Sequence, residues 1–160
     1  MTDAFLMSTY GMVLGQNTIK LKVTDSLGNN TTGGYNIASS FYKQGAGIVF
    51  HAAGGSGDGL FKAAEEAKAL SIGVDSDQGL IYASAQEAAT KARAKFILTS
   101  MLKRVDNSVF LAAKDLIEND RLDGGYRSFG LKEDGVGVAE NQFNKALLAP
   151  VKAQIANLRK

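Results

Sequence analysis

Ile48-Val-Phe-His-Ala-Ala-Gly-Gly-Ser-Gly-Asp-Gly59 sets a short β-branched and aromatic run against a glycine-dense turn, and Leu60 to Ala69 (LFKAAEEAKA) follows it. The last stretch is built of strong helix formers, so the segment reads strand, turn, helix. The same succession repeats on the carboxy-terminal side. Leu70-Ser-Ile-Gly-Val74 reads as a strand ending at Asp75, and Ser84 to Lys95 (SAQEAATKARAK) as a helix. Phe96-Ile-Leu98 is a strand leading to Thr99 and Ser100. Val105 to Glu118 then spaces Val105, Val109, Ala112, Ala113, Leu116 and Ile117 as a helix does.

Toward the amino terminus, Tyr35 to Gln44 places Ile37, Ala38 and Phe41 on one helical face, with Gly45 as the stop. Asp25 to Gly34 is dense in turn formers and reads as a loop. Ile19 to Val23 alternates apolar and basic residues, the pattern of a strand with one buried face. Ala4 to Leu14 reads as a helix, Tyr126 to Leu131 as a strand, and Val151 to Leu158 as a terminal helix after Pro150. Alternation of this kind implies an α/β domain with a mostly parallel sheet and flanking helices.

Bulk properties narrow the function classes. With 160 residues the chain fits one domain, and 45% apolar with 21% charged residues is ordinary for a globular protein. A net charge of +2, with acids and bases interspersed, is too mild for nucleic acid or an anionic membrane surface. The absence of cysteine rules out a disulfide, a thiol nucleophile or a Cys-based zinc site, and a single histidine leaves no histidine pair for a metal. No G-x-S-x-G elbow, Walker loop or H-E-x-x-H segment occurs, which leans away from an enzyme and toward no cofactor. Met1 to Met7 has no basic region and apolar core, so it does not read as a signal peptide, and no lipid-bearing cysteine is present.

In a parallel sheet, ligands sit beyond the carboxy-terminal ends of the strands. Three such ends carry informative residues. In the first, the glycines from Gly54 to Gly59 permit close approach of backbone to a ligand, and the following helix start offers free N–H donors. Gly55, Gly57 and Gly59 form G-x-G-x-G rather than the dinucleotide fingerprint, yet Asp75 falls about 20 residues on, where a ribose-binding acid belongs. A plain packing turn is equally consistent with this loop. At the second end, Asp75 follows the apolar run directly and suits two adjacent sugar hydroxyls, whereas Asp77 suits a turn cap. The third end offers Thr99, Ser100 and then Lys103 at an expected helix start, where a lysine opposes the dipole unless an acceptor faces it. His51 reads as a structural residue at a strand end, and Lys91, Arg93 and Lys95 as a solvated helix face.

Ile48-Val-Phe-His-Ala-Ala-Gly-Gly-Ser-Gly57, Ile72-Gly-Val-Asp-Ser-Asp-Gln78, Ile97-Leu-Thr-Ser-Met-Leu-Lys-Arg-Val-Asp106 and Phe129-Gly-Leu-Lys-Glu-Asp-Gly-Val-Gly-Val138, in this order, resemble the basic membrane protein family. The resemblance implies the type I periplasmic-binding fold, two α/β lobes closing on a ligand, of which residues 1–160 make up the carboxy-terminal lobe. It implies a receptor that delivers purine nucleosides to an ABC importer permease and is tethered outside the cell membrane by a lipid anchor. By position, Phe50 rather than Phe61 stacks on the base, Gly54, Gly55, Ser56 and Gly57 shape the pocket wall, Asp75 holds ribose hydroxyls, and Lys103 donates to ligand. Residues 126–160 are expected to cross back toward the other lobe. A cytosolic dinucleotide-binding enzyme domain and a small-molecule sensor domain remain the alternatives on the residues alone.

Overall fold

The computed structural model of the chain describes residues 8–13, 18–23, 29–119 and 124–158. Its centre is three parallel strands: β3 (Ile48–Ala52), β4 (Leu70–Asp75) and β5 (Ile97–Lys103). β1 (Ser8–Val13) lies antiparallel between β3 and β2 (Thr18–Val23), and β6 (Val136–Val138) runs antiparallel along β5. The order is β2-β1-β3-β4-β5-β6, so four of the six strands point the same way. The α/β architecture with a mostly parallel sheet is what the alternating sequence pattern implies.

Helices fill the connections: α1 (Thr31–Lys43), α2 (Gly57–Ala67), α3 (Gln78–Ala83), α4 (Ala88–Arg93), α5 (Val105–Asn119), α6 (Lys145–Leu148) and α7 (Lys152–Asn157). α1 begins inside the stretch expected to be loop. Asn30 caps it, its side chain accepting from Gly33 N–H at 2.7 Å, which satisfies one of the donors a helix start leaves open. Burial alternates along β3: Val49 and His51 are buried, and Ile48, Phe50 and Ala52 half-buried. Val49 joins Ala38 and Phe41 of α1, Leu60 and Phe61 of α2, and Ile97 of β5 in one apolar core. The opposite face carries an apolar groove of about 460 Å³ where Ile72 and Leu98 meet Leu148, Ile155 and Leu158.

α1 and α2 approach closely through two glycines. A Cβ on Gly34 would fall 2.1 Å from the Ser56 carbonyl oxygen, and one on Gly59 2.1 Å from that of Thr31. Only glycine permits such contact.

Other expectations about elements change as well. Ser8–Val13 is a strand, not part of a helix over Ala4 to Leu14, whose remaining residues lie outside those described. Pairing on both flanks outweighs its local pattern, and Ser8-Thr-Tyr-Gly-Met-Val13 holds β-branched and aromatic residues with a helix-weakening glycine. Ser84 to Lys95 is helical only over α4, followed by a 3₁₀ turn at Ala94–Phe96. Tyr126 to Leu131 is not a strand. A turn closed by Gly135 N–H to the Gly130 carbonyl at 2.8 Å delays pairing until β6.

α5 buries none of its residues, and Val109, Phe110 and Ile117 are exposed. Ile117→Lys should therefore change stability to urea by no more than about 0.5 kcal/mol. A loss above about 1 kcal/mol would mean that α5 is packed in solution.

Candidate functional site

Because β3, β4 and β5 are parallel, their carboxy-terminal ends gather along one edge. The turn after β3 is a 3₁₀ turn at Gly54–Ser56 running directly into α2. Gly54, at φ +48, and Gly55 are exposed on this edge. Ser56 and Gly57 face inward. Ser56 Oγ accepts from Asn30 N–H at 2.9 Å, and a Cβ on Gly57 would fall 2.1 Å from Cε1 of His51. With Gly57 and Gly59 both occupied in packing, the turn does not offer the glycine cradle that a dinucleotide site requires.

β4 ends in a tight reversal. Asp75 has φ +67, and Ser76 N–H donates to the Val74 carbonyl at 2.8 Å, two residues back. A non-glycine residue here is strained by about 1–3 kcal/mol. Its carboxylate is exposed and has no hydrogen-bond or ion-pair partner among the described residues. Asp77 is engaged instead. It caps α3 by accepting from Leu80 N–H at 3.0 Å and accepts the Asn141 amide at 2.9 and 3.1 Å. Gln78 braces the strand end: its Oε1 accepts from Val74 N–H at 2.8 Å, and its own N–H reaches Ser100 Oγ at 3.1 Å.

On β5 the two hydroxyls lie within the strand, not at its end. Thr99 Oγ1 donates to the Ala139 carbonyl at 2.7 Å, and Ser100 is fully buried. Lys103 is the last strand residue, two positions before the start of α5. It stands exposed one position beyond Leu102, the partner of Asp75 across the strands. Arg104 beside it is held by Asp106 at 3.0 Å and Asp134 at 3.3 Å. Phe50 sits in mid-strand between Tyr10 and Ile72, half-buried and on the sheet face opposite His51. Phe61 is fully buried in the core and unavailable to any ligand. The geometry thus brings Gly54, Gly55, Asp75 and Lys103 to one edge, sets Ser56 and Gly57 behind it, and leaves Phe50 apart, half-buried in mid-strand on the sheet face opposite His51.

A sequence profile described as "Bmp: ABC transporter substrate-binding protein PnrA-like" matches residues 16–160. The chain belongs to the Bmp family. Basic membrane protein D of Borreliella burgdorferi is 37% identical to it over 116 residues, covering 71% of this chain and 31% of the relative. An uncharacterized lipoprotein of Pyrococcus abyssi is 35% identical over 114 residues, 68% of this chain and 25% of that one. Among solved structures, a solute-binding protein of an ABC transporter system from Aeropyrum pernix K1 superposes with a TM-score of 0.54 at 31% identity, over 78% of this chain and 32% of that one. The match of this Bmp chain therefore spans between a quarter and a third of the length of each of these three proteins.

Among the described residues no group of three or more His, Cys, Asp or Glu is placed to hold a metal, and no helix is long and apolar enough to cross a membrane. Two supports of this Bmp edge escape sequence reasoning. Asn141 lies 64 residues from the Asp77 it holds. Gln78 stands in the quoted Asp75-Ser-Asp77-Gln78 motif, but only the fold turns its side chain back onto Val74.

Proposed function

We propose that this chain is the carboxy-terminal, ligand-binding lobe of a receptor that takes up a purine nucleoside and passes it to an ABC importer permease. In the longer protein it would work outside the cell membrane, tethered by a lipid anchor. The observation that supports this best is Asp75: an exposed, unpartnered carboxylate on a strained reversal at the end of a central parallel strand. A carboxylate so presented accepts hydrogen bonds from two vicinal hydroxyls, as a ribose offers. Lys103 adds a donor at the end of the neighbouring strand, and the backbone N–H groups at Gly54 and Gly55 line the same edge. Ser56 and Gly57 hold that wall from behind. Phe50 supplies the stacking ring if the base lies toward its face of the sheet. The whole of 1–160 is read as one lobe, with residues 126–160 crossing back toward a second lobe. The role is binding rather than catalysis, in keeping with a family of substrate-binding proteins.

One lobe encloses only one wall of a ligand, whereas a good site buries about 70–90% of it. The affinity of this chain alone is therefore expected to be weaker than micromolar. Calorimetric titration of guanosine, adenosine and inosine, with Asp75→Ala as control, tests the reading. Weak heat lost in the variant is the expected result. Equal heat in both proteins would remove Asp75 from the site, and no heat from the folded wild type would mean that this lobe holds no nucleoside by itself.

A further inference from the structure

His51 is the only histidine of the sequence, and its side chain is 1% exposed with no hydrogen-bond partner at either ring nitrogen among the described residues. The ring fills the space between the end of β3 and the first turn of α2. Gly57 rests directly on it: a Cβ there would fall 2.1 Å from Cε1 and 2.5 Å from each nitrogen. Phe61 meets it edge-on at 5.4 Å. The Gln78 amide comes near enough to favour a charged ring without completing a hydrogen bond of ordinary geometry. The acids that face it are Asp58 on α2 and Asp75 at the end of β4, and Tyr82 of α3 donates to Asp58 at 2.7 Å. A neutral imidazole enclosed in this way leaves one donor and one acceptor unmet, and an imidazolium would leave two donors and a charge.

We propose that His51 is a positioning residue whose protonation releases the Gly54–Gly57 turn, so that the edge of the lobe carrying Asp75 and Lys103 opens in acid. Beside the ring, the turn is held by Ser56 N–H to the Ala53 carbonyl at 3.0 Å and by Thr31 Oγ1 donating to the Gly55 carbonyl at 3.4 Å. Gly54 and Gly55 are already in solvent, and the hydrogen bond from Asn30 N–H to Ser56 Oγ and the close contact of Gly34 with the Ser56 carbonyl hold the rest. Movement of the turn uncovers the ring, and the exposed ring takes up a proton. Burial lowers the pKa of His51 from 6.5 to about 4 in the closed form, against the smaller opposing pull of Gln78, Asp58 and Asp75. The open form binds the proton at the ordinary value. Closure is consequently unaffected by pH above about 6.5 and weakens progressively as pH falls from there toward about 4.

That this edge is the ligand's rests on the proposed receptor role, but the opening itself does not, so the test is made without ligand. Hydrogen exchange at the amides of Ser56 and Gly57, corrected for the intrinsic pH dependence, should proceed by an opening smaller than global unfolding. Between pH 7.5 and 5.0 their protection should fall roughly 30-fold in the wild type. In His51→Phe, or His51→Leu if the first does not fold, the fall should be less than about threefold. A ring that merely fills space predicts that these amides exchange only with the whole chain. That result, or loss of protection independent of pH, would overturn the proposal. So would a folded-state NMR titration of the wild-type imidazole centred near its ordinary value. A guanosine titration at pH 7.5 and 5.0 separates the two ideas: no binding at either pH counts against the receptor reading and leaves the exchange result standing.

Discussion

Gly59→Ala is expected to cost about 3 kcal/mol of stability, the upper end of the range for overpacking a close contact. The added methyl would lie 2.1 Å from the Thr31 carbonyl oxygen and 2.5 Å from Tyr35 N. Both obstacles are main-chain atoms of α1 and cannot rotate away, so the two helices must separate along their line of contact. Separation also opens the core between Phe41 and Leu60 and lifts the Ser56 turn from Gly34. Gly124→Ala, with nothing within 4 Å of its Cβ among the described residues, is the control and should leave stability nearly unchanged. Urea unfolding of both variants decides the matter. A Gly59→Ala loss below about 0.5 kcal/mol would mean that α1 and α2 do not touch as described.

Phe61→Ala should cost more, about 3–5 kcal/mol, the range for emptying a large aromatic site in a core. Phe61 is fully buried, and beyond its area it meets His51 edge-on on one side and Tyr82 at 5.0 Å and 75° on the other. This ring ties α2 to both β3 and α3, hence the glycine turn to the segment that follows Asp75. Total stability of a domain is only about 5–15 kcal/mol, so the variant should sit close to its unfolding threshold. Loss of near-ultraviolet dichroism with far-ultraviolet signal retained is the expected signature of lost packing with helices and strands preserved. A fully cooperative transition displaced by less than about 1 kcal/mol would contradict the placement of Phe61 at the centre of the core.

The central part of the fold was legible because each element there declares itself. Ile48-Val-Phe50, Leu70 to Val74 and Ile97-Leu98 are compact apolar runs, and LFKAAEEAKA allows little but helix. Ser8–Val13 was not legible, since its strand identity comes from two neighbours far along the chain. β6 was displaced for a related reason: the turn that delays it depends on a Gly130–Gly135 bond and on a Gly135 carbonyl that accepts from Arg104 N–H. At the candidate site, Asp75 could be separated from Asp77 by its place at the end of an apolar run, and Asp77 does cap α3. The orientation of Ser56 could not be read in this way. Whether a serine in a glycine turn faces solvent or the neighbouring helix is decided by Asn30, 26 residues earlier. The apolar run at Ile97-Leu98 could not reveal that β5 continues to seven residues and ends on Lys103, just short of the helix that does begin at Val105.

The reversal at Asp75 also bears on how this domain can be improved. A left-handed backbone position favours glycine, so a search for stabilising substitutions scored on folding alone would select Asp75→Gly early, for a gain of about 1 kcal/mol. If the carboxylate binds solute, that gain erases the site. Thermostability and uptake then pull in opposite directions at one residue. On that reading, selection for heat resistance alone should drift toward glycine there, yielding a sturdier domain with a poorer solute site.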